Sequence, residues 1–305
     1  MSTTPELILG TAMWGWTTPA SVCFDLLDHF YEQGFRAIDT ATNYPINENT
    51  ADFRLAEKIL KEWIHTNGIT DLKVMVKVGS ITNIRTSENN LQKSFLLMLL
   101  DEYQFLFGEN LETYMIHWDN REASSEVRAS LEAMTVAAEK GFQIGLSGIK
   151  HPSIYQALQD DFPFDFRIQI KHNLLQSSYE HYKAFHGKPR FIAYGINAGG
   201  IKLAPDTYHE QSSLKVRGGN IQVEPALLPK LRDLIQEVNQ TINHPITHFN
   251  ECGMTYAFHS PDMEGILLGT SKLEQLKASI AFYHLLCQGK FEAFHESLVR
   301  LKQSL

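Results

Sequence analysis

The sequence predicts an α/β fold, a closed (β/α)8 TIM barrel forming a single domain with long loops at its C-terminal face, and three observations carry that prediction. Short β-branched or apolar runs alternate with longer amphipathic segments, the pattern of parallel strands joined by crossover helices. Eight such strands can be placed, near 6–11, 35–39, 72–77, 111–117, 142–147, 165–170, 189–194 and 265–269. No Gly-x-Gly-x-x-Gly follows the early strands, so an open doubly wound sheet would lack the turn that its dinucleotide site needs. Eight units in 305 residues suit one closed barrel, read as a single domain over 1–305.

The connections follow the same logic. Ser124 and Ser125 are expected to cap a helix that places Val127, Leu131, Met134 and Ala138 on one face, with Gly141 as its stop. Trp63 belongs to a helix beginning near Thr50. The spacing breaks between Tyr194 and Ile266, where a stretch rich in Gly, Ser and Pro runs from Gly195 to Pro225. Long loops in compact domains are usually functional or disordered, and this one is expected to fold over the barrel mouth. The segments Ser80 to Asn90 and Trp118 to Ser124 should leave from the same face.

Composition narrows the partners. A 43% hydrophobic and 20% charged chain can bury a large core, and a formal charge of -8 without a basic tract opposes nucleic acid and anionic membranes. A small-molecule carbonyl or alcohol is the expected partner. The start Met1-Ser2-Thr3-Thr4-Pro5-Glu6 has neither the basic residues nor the apolar run of a secretory signal. Cys23, Cys252 and Cys287 make no metal motif and leave one thiol over in any disulfide scheme, which points to a reducing cytoplasm. No His-x-His occurs, and no metal site is expected.

Four residues carry the chemistry. Asp39 lies in Ile38-Asp39-Thr40-Ala41, Tyr44 follows five positions on, Lys77 ends a β-branched run, and His117 ends Tyr114-Met115-Ile116-His117. In a parallel barrel the C-terminal strand ends converge on one mouth, so these groups meet although far apart in sequence. Hydride delivered to a carbonyl carbon leaves charge on the oxygen, which calls for a proton donor and stabilising groups. A phenol is a poor acid at neutral pH, and an adjacent ammonium favours its phenolate. Asp39 would hold that ammonium in place, and His117 would orient the carbonyl. Taken singly, Asp39 also reads as a helix cap, Tyr44 as a turn residue, Lys77 as a strand-end charge and His117 as a core histidine.

These runs, with Leu9-Gly10-Thr11, Gly34-Phe35-Arg36-Ala37, Ile144-Gly145-Leu146-Ser147 and Ala193-Tyr194, resemble the aldo-keto reductase superfamily in order and spacing from about Leu7 to Ser279. The resemblance implies that Asp39, Tyr44, Lys77 and His117 are a catalytic tetrad with Tyr44 as general acid. It also implies a nicotinamide cofactor bound extended, without a Rossmann domain. By the same resemblance Ser147 and Gln169 hold the carboxamide, Tyr194 stacks on the nicotinamide ring with Gly195 beside it, and Gly10, Thr11 and Asp39 line the ribose. The segment Gly269, Thr270, Ser271, Lys272 to Gln275 takes the adenosine end.

The match is uneven. Gly148 stands where many members have Asn, and Gly195-Ile196 where they have Ser-Pro. NADP-selective members often carry Lys at the Gly269 position and Arg at the Gln275 position, and both are absent. Ala278 and Ser279 replace a Glu-Asn pair found around the adenine. Lys272 reads equally as a 2'-phosphate ligand or as a solvated charge. NADP(H) is taken as the favoured cofactor, with NAD(H) as the alternative. Trp14, Trp16 and Trp118 lie at or after strand ends and are expected to wall an aromatic substrate pocket. The expected activity is NAD(P)H-dependent reduction of an aldehyde or ketone, sugar-like ones included, to an alcohol; the alternatives are a cofactor-sensing regulatory subunit with little turnover and an idle scaffold barrel.

Overall fold

The computed structural model describes residues 4–84, 86, 88–203 and 227–304. Eight strands, β1 (Glu6–Gly10), β2 (Ala37–Ala41), β3 (Lys73–Val78), β4 (Leu111–His117), β5 (Gln143–Ser147), β6 (Arg167–Lys171), β7 (Phe191–Tyr194) and β8 (Met263–Leu268), pair in sequence order, and β8 returns to β1. Every pairing is parallel, so closure leaves no strand edge open to another chain. The strands begin and end within a few residues of their expected places. β2 is displaced by two residues at both ends, starting at Ala37 instead of residue 35. Arg36 stays outside the strand because its guanidinium bonds Asp71 at 2.8 Å and the carbonyls of Tyr31 and Phe35 at 2.9 Å.

Between the strands run α1 (Ala20–Glu32), α2 (Leu55–Asn67), α3 (Lys93–Phe107), α4 (Ser124–Glu139), the short α5 (Pro152–Ala157), α6 (Leu227–Val238), α7 (Phe249–Phe258), α8 (Leu273–Cys287) and α9 (Glu292–Gln303). Their apolar stripes meet the outer faces of the strands in one core that includes Leu26, Phe30, Leu60, Trp63, Leu100, Leu131 and Leu276. On α4, Val127, Leu131 and Met134 are buried as expected, while Ala138 is only partly so. The expected hydroxyl cap does not form: Ala123 occupies the capping position and neither serine side chain caps the turn.

A second, smaller cluster fills the barrel itself: Ile8, Ala37, Met75, Met115 and Ile192, with Leu267 packed on it. Strand alternation then stacks polar residues above and below these side chains, two positions away along each strand. Asp39 follows Ala37, Lys77 follows Met75 and His117 follows Met115, while Thr113 precedes Met115. The thick Met115 side chain fits because residue 145 is glycine; a Cβ there would lie 2.5 Å from the Met115 methyl. Below the apolar layer Arg167 hydrogen-bonds Glu112 at 2.7 Å and the Thr113 hydroxyl at 3.1 Å and forms an ion pair with Glu264 at 2.6 Å, closing the N-terminal end. The barrel is therefore plugged at its floor, apolar in its middle and polar at its C-terminal mouth.

Of the three loops expected at the mouth, two meet there directly, since the side-chain amide of Asn89 donates to the carbonyl of Trp118. In the third, residues 195–203 turn tightly, with Ala198 N–H bonded to the Gly195 carbonyl at 2.9 Å. The rest of that stretch, through Pro225, lies outside the described residues. Among the described residues no helix is long and apolar enough to cross a membrane.

Candidate active site

Strand register brings the expected residues around one mouth. Gly10 pairs with Asp39, Ala41 with Lys77, His117 with Ser147, Ser147 with Gln169, and Lys171 with Tyr194. At the centre the Lys77 ammonium bonds both carboxylate oxygens of Asp39, at 2.6 and 2.5 Å, and both residues are only 1% exposed. Such a desolvated pair holds only if its remaining hydrogen-bonding capacity is met. Gln169 meets it from across the barrel: its oxygen accepts from Lys77 at 3.2 Å and its nitrogen donates to Asp39. Burial would discharge Lys77, but the Asp39 carboxylate, together with Tyr44, keeps its pKa above the ordinary lysine value.

Tyr44 sits half-buried beyond this pair, with the ammonium 4.9 Å from its ring centroid. Its backbone is fixed at both ends: its N–H donates to Ala41 at 3.1 Å and its carbonyl accepts from Ala56 at 3.2 Å. The His117 ring stands edge-on to it, centroids 6.4 Å apart. Burial and then the charge of Lys77 push the His117 pKa well below that of a free histidine, so the ring is neutral. Its Nδ1 is buried without a partner among the described residues. A charged amine, a phenol and a neutral imidazole thus share one desolvated corner, where they can stabilise oxyanion charge and supply a proton.

The other expected residues fall around this corner. Thr11 donates through its N–H to the Asp39 carbonyl at 3.0 Å and through its hydroxyl to Thr40 at 3.0 Å. Ser147 Oγ lies 3.5 Å from the Gln169 oxygen, a long contact that leaves it free to bond elsewhere. Gln169 turns its amide toward Asp39 and Lys77, whose charges make these hydrogen bonds strong. Tyr194 is half-buried, and the Gly195 carbonyl accepts from Asn173 at 2.8 Å.

Beyond β8, Gly269 is exposed and a Cβ there would meet no atom within 4 Å. Thr270 is buried with a hydroxyl that has no partner among the described residues, and Lys272 is exposed at the N-terminus of α8. Gln275 bonds the Ser271 N–H at 3.4 Å. A helix N-terminus with a spare hydroxyl and a nearby ammonium favours an anionic group.

The three tryptophans separate. Trp14 has no exposed surface and packs in the core outside the barrel, so it backs the mouth without presenting a wall. Trp16 is half-buried in the loop after β1. Trp118 is half-buried with φ 56° and its ring 4.7 Å from His117. Its neighbour Asp119 was not singled out from the sequence. That carboxylate takes the Arg121 guanidinium at 2.8 and 2.9 Å and the Tyr155 hydroxyl at 2.6 Å, which anchors the loop carrying Trp118. Burial would raise the Asp119 pKa, but these donors hold it below the ordinary carboxylate value. The short Asp119 to Arg121 spacing was its one signal in the sequence.

Comparison with known proteins agrees with this architecture. The chain is similar to a protein of Pseudescherichia vulneris described as an uncharacterized 11.2 kDa protein in crtE 3'region, 35% identical over 78 residues, which cover 25% of this chain and 76% of that protein. The family model described as Aldo/keto reductase family matches residues 6–297, which span the whole barrel. The chain belongs to the aldo/keto reductase family of oxidoreductases acting on carbonyl compounds.

Proposed function

We propose that the protein is an NAD(P)H-dependent carbonyl reductase that converts an aldehyde or ketone to an alcohol, with Tyr44 as the general acid. The observation that carries this reading is the Asp39–Lys77 pair: a fully buried ammonium locked by a carboxylate, facing the Tyr44 ring at 4.9 Å. An amine held charged there favours phenolate over phenol, which makes Tyr44 a better proton donor than a free tyrosine. Neutral His117, beside both, orients the carbonyl oxygen by donating a hydrogen bond.

The residues present fit a nicotinamide dinucleotide. Ser147 Oγ and the Thr270 hydroxyl, which has no partner among the described residues, offer polar contacts, Tyr194 offers a flat face, and the N-terminus of α8 favours a phosphate. When bound, the cofactor supplies the hydride. Lys272 and the hydroxyls of Thr270 and Ser271 would take a 2'-phosphate, which supports NADP(H) over NAD(H).

The test is Tyr44→Phe. Turnover with a broad set of aldehydes and ketones should fall by at least about a hundredfold, the scale of general acid catalysis. The calorimetric Kd for NADPH should stay within about twofold, less than the loss of one hydrogen bond. Retained turnover in the variant removes Tyr44 as the acid.

A further inference from the structure

The glycine at position 148 and the tryptophan at position 118 interlock. Trp118 holds a left-handed backbone, φ 56°, which is costly for a bulky residue and is kept only where neighbours enforce it. Its own N–H donates to the Ser147 carbonyl at 2.9 Å, and its carbonyl takes the Asn89 amide. The indole is thereby laid across Gly148. A Cβ built on Gly148 would lie 2.5 Å from Trp118 Cδ1 and 3.3 Å from Nε1, so the edge of the indole that carries the N–H covers the place where any side chain of residue 148 would begin. That N–H finds no acceptor among the described residues.

An amide ligand presents two N–H donors and one carbonyl acceptor, so a cradle for it needs an acceptor and a donor of its own. Gln169 is committed inward to Asp39 and Lys77, and Gly148 has no side chain. Ser147 Oγ remains as an acceptor. The indole N–H, which can only donate, lies over the next residue.

We propose that Trp118 Nε1–H is the donor that holds the carboxamide oxygen of the nicotinamide ring, with Ser147 Oγ accepting from the carboxamide nitrogen. The inference rests on the nicotinamide reading given above. It makes Trp118 a cofactor-positioning residue and Gly148 the residue that admits it. Trp118→Phe keeps an aromatic ring and removes the N–H. Asn tolerates the left-handed backbone that residue 148 adopts, φ 69°, and brings an amide of its own.

The experiment is calorimetric titration of the full chain with the tighter-binding of NADPH and NADH, and separately with the ADP-ribose half of that cofactor, which lacks the nicotinamide. Trp118→Phe should weaken the dinucleotide about fivefold, as loss of one neutral hydrogen bond does, and leave the half-cofactor unchanged. The double variant Trp118→Ala/Gly148→Asn, which also removes the ring atom that a Cβ at residue 148 would meet, should regain most of the affinity that Trp118→Ala loses. Undiminished dinucleotide binding in Trp118→Phe, or equal weakening of both probes, overturns the assignment. A wild-type protein that binds neither probe overturns the nicotinamide reading itself, and this inference with it.

Discussion

The N–H of Ala56, in the first turn of α2, donates to the carbonyl of Tyr44 at 3.2 Å, so the helix start and the proposed acid move as one. That turn is held in place by charge. Arg54, left-handed at φ 66°, bonds Glu57 and reaches Glu102 on α3 at 2.7 Å, while Glu57 accepts from the Tyr103 hydroxyl at 2.6 Å. Burial pushes the Glu57 pKa from 4.5 up to about 7 against the pull of Arg54. A carboxyl whose folded value is raised binds more protons folded than unfolded between those two pH values, so stability falls as pH rises from 4.5 to about 7.

Glu57→Gln should remove that slope. Thermal melts from acid to neutral pH should show the variant gaining on wild type as pH rises, by about 3 kcal/mol at most. Parallel curves would mean that Glu57 ionises as freely as a surface carboxylate.

Lys77→Met leaves Asp39 buried with Gln169 as its remaining hydrogen-bond partner. Removing one member of a buried pair costs about 3–5 kcal/mol, and urea denaturation should register a loss on that scale. The double variant Lys77→Met/Asp39→Asn should recover most of the stability and none of the turnover. Recovery of activity would separate the pair from the chemistry.

At the other end of the barrel, Arg167→Met leaves Glu6, Glu112 and Glu264 facing one another. The carboxylates are about a third exposed, so solvent screening reduces the loss below that of a fully buried pair, to about 2 kcal/mol at pH 7.5. Burial raises the Glu264 pKa, so mild acid protonates it first and relieves the repulsion. Urea midpoints at pH 7.5 and pH 5 should therefore differ less from wild type at the lower pH, with kcat unchanged because the floor lies away from the mouth.

Much of this was legible before any coordinates, because the strands are apolar runs and the residues at their C-terminal ends are the ones a parallel barrel gathers. Asp39, Lys77 and His117 were readable on that ground. Gln169 was visible as a strand residue, but its commitment to Asp39 was not, since β6 meets β2 only across the interior. Trp118 lying over Gly148 was equally hidden, because it needs a left-handed turn that the sequence around Trp118 does not announce. The capping serines failed for a related reason: Ala123 stands at the helix boundary and leaves their hydroxyls nothing to cap.

The chain's four tryptophans are unequally placed, and that gives the molecule an optical property. Trp14 and Trp63 are sealed, the latter with its indole N–H on Asp28 at 2.7 Å, so their emission is a blue-shifted background that aqueous quenchers do not reach. Trp118 lies against the His117 imidazole at 4.7 Å, on the rim of the mouth. Trp16 is half-buried in the loop after β1, so changes in fluorescence on filling the mouth will come from these two indoles, making the protein its own gauge of occupancy.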